Sequence, residues 1–101
     1  MAQIRWSKKA LAQLERNISY IAEEQSSTYA EVVLSRILTA VDLLQEQPRM
    51  GPIEPLLEYR LQEYRSLVVW SFKIVYKVHS NSDILIARVF HTAQHPSKLK
   101  R

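Results

Sequence analysis

The sequence predicts an α+β domain with the element order β-α-α-β-β-β, in which two helices form a hairpin that packs on one face of an antiparallel sheet. The first half contains two stretches whose apolar residues recur at helical spacing, and the second half contains three stretches that favour strands. Polar runs, glycine and proline separate these stretches. A chain of 101 residues has the usual size of one domain, so residues 1–101 are predicted to fold as a single unit.

The chain begins with a short alternating run at residues 3–6, which predicts an edge strand. Ser7 follows, and its hydroxyl is suited to accept from the unpaired amides of a first helical turn. The apolar residues of this first helix are spaced three, four and three apart, as on one helix face. They are Leu11, Leu14, Ile18 and Ile21.

A second helix is predicted to begin at Thr28, because Thr28 and Glu31 have the spacing of a capping box. Pro48 and Gly51 end it. Few residues separate the two helices, so they form an antiparallel hairpin. The predicted apolar face of the second helix consists of Ala30, Val33, Leu34, Ile37, Leu38, Val41 and Leu44.

The second half reads as a loop followed by three strands. Residues 50–57 contain glycine and two prolines and predict the loop, and residues 61–69 predict the first strand. Residues 72–78 alternate between apolar and other side chains, which indicates a half-buried strand with one cationic face. After a turn at 79–83, residues 84–90 are nearly all apolar and predict a central strand covered on both faces.

Composition excludes several classes of protein. A hydrophobic content of 47% is enough for a packed core, so we do not expect disorder. The chain has no cysteine, which excludes disulfides and thiolate metal sites and fits a reducing cytoplasm. No secretory h-region and no apolar run of about 18 residues occurs, so we expect neither export nor a membrane span.

The whole net charge of the chain lies in its second half. Residues 1–50 carry six basic and six acidic side chains, whereas residues 51–101 carry eight basic and four acidic ones, which gives +4. Because side chains alternate between the faces of a strand, Lys73 and Lys77 are predicted to lie opposite Phe72 and the other core residues of their strand. One register would bring Arg65, Lys73 and Arg88 together on this open face, where they would suit a phosphate.

The order and spacing of these elements resemble the RelE/ParE superfamily of type II toxin–antitoxin toxins over essentially the whole chain. The segments that carry the resemblance are Ser7–Ala10 with Leu14, Ile18 and Tyr20–Ile21, then Leu44, Pro48 and Gly51, then 64–78, then 84–91. The long helix pair directly after the first strand is more similar to the ParE branch. The RelE branch pairs a basic cluster with a C-terminal tyrosine, and no tyrosine follows Tyr76 here.

The resemblance implies a small toxin that inhibits growth, contributes to plasmid stabilisation and is neutralised by a cognate antitoxin. It implies that an antitoxin segment wraps along the helix pair and a sheet edge, at residues that the sequence does not identify. The leading hypothesis is a toxin without catalysis that binds DNA gyrase through Arg65, Lys73, Lys77 and Arg88. One alternative is a ribosome-dependent mRNA endoribonuclease, and another is a relic that binds only its antitoxin.

In the ribonuclease hypothesis, Arg65 and Arg88 stabilise the phosphate and Lys73 assists. His91 serves as acid or base, because histidine is the residue type whose ordinary pKa lies close to working pH. His91 is three residues from Arg88, so in a regular strand it lies on the other face. It joins the cluster only if the strand ends or bulges first. No cofactor is expected.

Each candidate also has a structural interpretation. The structural interpretation of Arg65 is a cation that pairs with Glu63 or Glu58 or binds loop carbonyls, and that of Lys73 and Lys77 is the solvated face of a strand. His91 and His95 lack a third ligand, so no metal site is predicted. Trp6 and Trp70 suit either packing or base stacking. The terminal cations Lys98, Lys100 and Arg101 are interpreted as a solvated tail, with screening of a phosphate or contact with an acidic partner segment as alternatives.

Overall fold

The computed structural model of the protein describes residues 2–57 and 61–92. The predicted element order is present. It consists of β1 (Ile4–Trp6), α1 (Lys8–Glu24), α2 (Ser27–Asp42), β2 (Glu63–Val69), β3 (Phe72–Val78) and β4 (Ile84–His91). Short 3₁₀ turns occur at Leu43–Gln45 and Pro55–Leu57. The interpretations of Glu58, His95 and the terminal cations lie outside the described residues.

The four strands form one sheet in the order β1-β4-β3-β2, with the helix pair on one face. β2, β3 and β4 are antiparallel neighbours, as predicted. β1 is an edge strand, also as predicted, but it runs parallel to β4, so the sheet is mixed. The two helices, β2 and β3 all lie between β1 and β4 along the chain, so the connection is long enough for a parallel pair.

Helix α1 begins where the sequence predicts. The Ser7 hydroxyl accepts from the Ala10 amide at 3.0 Å and caps the helix. Leu14 and Ile21 are buried, but Leu11 is 43% exposed, so its place in the predicted stripe was wrong. Ala10 takes the sheet-facing position instead, because its small side chain lets the helix approach the strands.

Helix α2 begins one residue before Thr28 and ends earlier than predicted. Ser26 is the cap, and its hydroxyl accepts from the Tyr29 amide at 3.0 Å, so the capping box at Thr28 does not form the start. The buried residues of α2 are Ala30, Val33, Ile37 and Val41. Leu38 is 40% exposed, and Leu44 is buried within the 3₁₀ turn that follows the helix.

The core lies between the helix pair and the sheet. Its largest side chains include Tyr76, Ile37, Ile74 and Ile86, each fully buried. Burial of such a side chain contributes about 2 kcal/mol. This one layer therefore supplies most of the hydrophobic stabilisation of the domain.

The second face of the sheet, opposite the helices, is partly covered by the connection before β2. The Glu54 amide donates to the Tyr64 carbonyl at 2.9 Å, and the Ser66 amide donates to the Pro52 carbonyl at 3.1 Å. Leu57 then packs on Val75 in a small second cluster. The predicted loop is thus pinned to the edge of β2. β4 is buried on the helix side and half-buried on the other, so the prediction that both faces are covered was wrong.

Strand β1 has three residues and is too short to pair with the whole edge of β4. Helix α1 and its cap Ser7 form hydrogen bonds with backbone groups of β4 near and beyond the end of β1. The Ser7 amide donates to the Ile86 carbonyl at 3.0 Å, and the Ser7 hydroxyl donates to the Ala87 carbonyl at 3.3 Å. The Gln13 side-chain carbonyl accepts from the Val89 amide at 2.7 Å. Within residues 2–57 and 61–92, neither helix is long and apolar enough to cross a membrane.

Candidate functional site

The strand register divides the candidate cations between the two faces of the sheet. Side chains of directly paired residues in neighbouring strands share a face. Ile74 and Tyr76 of β3 face the helices, and Lys73 and Lys77 therefore face away, as predicted. We call these the helix face and the second face.

Arg88 reaches the second face because β4 contains a bulge. Tyr76 pairs with Ile86, but the preceding Val75 pairs with Arg88, so Ala87 is an extra residue in the ladder. Without the bulge, Arg88 would follow Ile84 and Ile86 into the core. The inserted residue instead turns its side chain to the side of Lys73. Its guanidinium is half-buried and donates to the Ala87 carbonyl at 2.9 Å.

Arg65 does not join that group. It pairs with Tyr76 and so lies on the helix side of β2, which overturns the predicted three-cation cluster. Its Nε donates to a Glu63 carboxylate oxygen, and another guanidinium nitrogen donates to the Gly51 carbonyl at 2.8 Å. These are the contacts that the structural interpretation of Arg65 predicted.

Glu63 also binds a second arginine. Arg49 donates to both carboxylate oxygens, with Nε at 3.0 Å from Oε2, and to the Ser82 hydroxyl at 3.2 Å. The pKa of Glu63 is lowered, mainly by the hydrogen bond from Arg65 and further by Arg49. Two arginines thus share one carboxylate and tie the loop at Gly51 to β2.

Gly51 lies at the centre of this junction. Its amide donates to the buried Tyr76 hydroxyl at 3.0 Å. A Cβ at this position would lie 2.2 Å from the Ser66 carbonyl oxygen, so only glycine fits against β2. Burial raises the pKa of Tyr76, and the hydrogen bond from Gly51 opposes this only in part.

Lys73 is engaged on the second face. Its Nζ lies 2.7 Å from Oε2 of Glu54, whose side chain is fully buried. The Lys73 side chain itself is 23% exposed. Its charge is therefore neutralised by a carboxylate of the chain itself, and Lys73 is not an open cation.

His91 lies away from Arg88. It pairs with Phe72 on the helix side, and the two rings meet edge to face with centroids 5.5 Å apart. It lines a small depression together with Tyr20, Tyr29 and Ser71. The bulge precedes Arg88, so His91 stays on the opposite face, as alternation predicts.

Sequence reasoning missed Arg5. It pairs with Leu85 of β4, and Leu85 pairs with Lys77 of β3, so Arg5 and Lys77 share the second face. Alternation in the first strand does place Arg5 opposite Ile4 and Trp6. Only the pairing of β1 with β4, however, brings it beside the other cations.

The hairpin between β2 and β3 carries an exposed aromatic residue. Trp70 is 48% exposed and has a φ of 54°, which a bulky residue rarely adopts. Its ring stacks on Tyr29 at 6.0 Å, and the Arg36 guanidinium lies 5.7 Å from its centroid. Trp6, by contrast, packs against the core. No group of three acidic or imidazole side chains suited to a metal occurs among residues 2–57 and 61–92.

Residues 4–96 match the family model described as the ParE toxin of the type II toxin–antitoxin system parDE. The chain belongs to the ParE toxin family. It is 33% identical over 92 residues to the putative toxin Y4kP of Sinorhizobium fredii, a match that spans 91% of this chain and 90% of the relative. The ParE branch that the sequence favoured is thereby confirmed.

The ParE fold is also seen in a solved structure. A chain of the chromosomal ParDE toxin–antitoxin system from P. aeruginosa superposes with a TM-score of 0.71 and 23% identity, over 90% of this chain and 96% of that one. The match confirms the α+β fold that the sequence of this chain predicts.

Proposed function

We propose that this ParE-family toxin blocks growth in the cytoplasm by binding DNA gyrase, without cutting RNA, and that a cognate antitoxin neutralises it. The toxin class follows from family membership. The gyrase target and the absence of catalysis are the proposed part, and the arrangement of the basic residues supports them.

The observation that carries the proposal is the separation of the groups that RNA cleavage needs. Attack by a 2′-hydroxyl requires cations at the phosphate, a base and an acid within hydrogen-bond reach of one another. Arg88 lies on the second face, whereas Arg65 and His91 lie on the helix face. A single phosphate cannot contact all three.

The remaining candidate groups do not replace them. Lys73 is bound to the buried Glu54 at 2.7 Å. His79 lies four residues beyond Val75, the partner of Arg88, or about 13 Å along the strand. The second face therefore offers charge without an adjacent acid–base pair, which favours a binding function.

The exposed residues of α2 and of the β2–β3 hairpin support protein partners. Val32 of α2, Leu43 of the 3₁₀ turn after it and Val68 of β2 are between 42% and 66% exposed, and Trp70 adds a 48% exposed ring beside Arg36. Tryptophan, tyrosine and arginine contribute most of the energy in many protein interfaces. A toxin that must bind both its target and its antitoxin requires surfaces of this kind.

Two measurements on the full chain test the proposal. Purified toxin should inhibit DNA supercoiling by gyrase, and addition of its antitoxin should restore supercoiling. Cells that express the toxin alone should induce the DNA-damage response with unchanged mRNA ends. Normal supercoiling at a large excess of toxin, mRNA cut at ribosomal A-site codons, or no growth inhibition would each overturn the proposal.

A variant at His91 separates binding from catalysis. His91→Ala should keep growth inhibition within about 3-fold of the wild type, since the ring faces away from the second face. A ribonuclease that used this residue would lose about 100-fold or more in rate. Circular dichroism and antitoxin binding confirm that the variant is folded.

A further inference from the structure

We propose that the toxin contacts gyrase through the groove between α2 and the β2–β3 hairpin, and that this groove accepts a segment of gyrase with apolar side chains and a carboxylate. The inference rests on the proposed gyrase target and deepens it, because it names the surface of the toxin and the chemistry of the partner segment. We call this surface the hairpin groove. Its exposed lining residues are Ser35, Arg36, Thr39, Leu43, Val68 and Trp70.

Two of the cations that the sequence suggests for gyrase binding are engaged within the chain. Arg65 donates to the Glu63 carboxylate and to the Gly51 carbonyl. Lys73 lies 2.7 Å from the buried Glu54 carboxylate. A target protein therefore has to find its main contacts elsewhere on the toxin, and the hairpin groove holds exposed apolar, aromatic and basic side chains together.

The shape of the hairpin groove suits a protein segment. Leu43 on one wall is 51% exposed and Val68 on the other is 66% exposed, so the groove is open along its length. Small molecules instead bind in pockets that bury about 70–90% of their surface. Arg36 and Leu43 are seven residues apart, or about 10 Å along a helix. The groove is therefore long enough for about two helical turns of a partner.

Trp70 occupies a backbone position that glycine would occupy at a lower cost. Its φ is 54°, a conformation that glycine adopts freely and that a bulky side chain disfavours. The ring stacks on Tyr29 with centroids 6.0 Å apart, yet Trp70 remains 48% exposed. The turn alone does not account for tryptophan here, and strained residues of this kind cluster at binding sites. Because Tyr29 already holds the ring in place, a partner spends little entropy in ordering it.

Arg36 determines the charge of the partner segment. It is the only charged side chain among the described residues that line the groove, and it has no ion pair to residues 2–57 and 61–92. No acidic residue lies three or four positions away on α2, where helical neighbours meet. Its guanidinium lies 5.7 Å from the centroid of the Trp70 ring. An arginine in this position complements a carboxylate beside the apolar side chains that cover Trp70.

The first test replaces Trp70 by the residue that its backbone favours. Trp70→Gly should weaken the binding of labelled toxin to purified gyrase by about 30-fold in fluorescence anisotropy, as expected for a central interface tryptophan. The midpoint of urea unfolding should stay close to that of the wild type, because glycine suits the φ of this turn. The matched control is Leu11→Ala, which removes a 43% exposed apolar side chain from α1, the helix that packs on β4, and should leave gyrase binding unchanged.

The second test reverses the charge of the groove. Arg36→Glu should weaken gyrase binding at least about 10-fold, because it places a carboxylate against the carboxylate of the partner. Arg36 is exposed on α2, so this variant tests the groove even if loss of the Trp70 ring lowers stability. The matched control Arg16→Glu makes the same change of charge at an exposed position of α1 and should bind gyrase as the wild type does.

The outcomes separate this inference from the proposed function. Wild-type toxin that does not bind gyrase would overturn both. Wild-type binding that Trp70→Gly and Arg36→Glu leave unchanged would overturn the inference alone. Equal losses in Arg36→Glu and Arg16→Glu would show an effect of net charge and no contact at the groove. If Trp70→Gly lost affinity for the antitoxin and kept its affinity for gyrase, the hairpin groove would belong to the antitoxin.

Discussion

The two faces of the sheet hold their polar groups in different ways. On the helix face, the Gly51 amide donates to the Tyr76 hydroxyl and the Arg65 guanidinium donates to the Gly51 carbonyl, at the edge of an apolar core. The second face carries the ion pair of Lys73 with the buried Glu54, and it also carries Arg5 and Lys77, which have no ion pair to the described residues. The helix face thus stabilises the fold, whereas the second face keeps two cations that the described residues do not pair. Five substitutions test this division.

Gly51→Ala should have the largest effect. The new Cβ would lie 2.2 Å from the Ser66 carbonyl oxygen and 2.9 Å from the Tyr76 hydroxyl, so the loop must move and lose its contacts with both. We expect the free energy of unfolding to fall by about 4 kcal/mol, from overpacking and lost hydrogen bonds. Urea unfolding measures it, with Ser80→Ala in the exposed turn as control. Equal stability of the two variants would show that the loop is not held at Gly51.

Lys73→Met should be the most destabilising change on the second face. It removes the ammonium group that lies 2.7 Å from the fully buried Glu54 carboxylate, at a cost of about 3 kcal/mol. Glu54→Gln should cost less, about 1 kcal/mol, because Lys73 is 23% exposed and its charge can turn to water. Urea unfolding of both single variants and of the double variant gives the coupling free energy between Lys73 and Glu54. A coupling near zero would mean that the ion pair does not hold the 52–57 segment on the sheet.

Tyr76→Phe tests the helix face by removing a single oxygen. The Gly51 amide loses its acceptor while the ring still fills the core, so we expect a loss of about 1.5 kcal/mol. Because burial raises the pKa of Tyr76 above its ordinary 10.0, the unfolded chain releases this proton first. The wild type should therefore lose stability as pH rises above about 10, and Tyr76→Phe should lose less. If the two proteins lost stability equally as pH rises in the alkaline range, the buried hydroxyl of Tyr76 would not be the cause of the loss.

Glu63→Gln should have the smallest effect, about 1 kcal/mol at neutral pH, since its carboxylate and Arg49 are partly solvated. The pKa of Glu63 is lowered in the folded state, first by Arg65. Its contribution is therefore present above the ordinary pKa of 4.5 and is lost as pH falls through the lower folded value. Urea unfolding at pH 7 and about pH 3 should show a smaller acid-induced loss in the variant than in the wild type. If the variant lost as much stability at low pH as the wild type, the carboxylate of Glu63 would not stabilise the contact between the Gly51 loop and β2.

The helix face was predictable from sequence because local patterns determine it. Alternation in 72–78 placed Tyr76 inside, and Ser7 marked the start of α1. The second face depends on interactions between distant residues. The bulge at Ala87 moves Arg88 across the sheet, and the parallel pairing of β1 brings Arg5 beside Leu85. Nothing in the sequence around Arg65 indicates that this residue pairs with Tyr76, whose side chain faces the helices. The register of long-range strand pairs therefore decided which predicted cations meet.

The contact between Gln13 and Val89 has a consequence for how copies of the chain meet one another. β1 ends at Trp6, so the next backbone donor on that side of β4 would be open to any extended segment. The Gln13 side chain occupies that donor at 2.7 Å. An unpaired strand edge is a template for recruiting another chain. By occupying this donor, the side chain of Gln13 in α1 helps to prevent copies of the chain from pairing through the edges of their sheets.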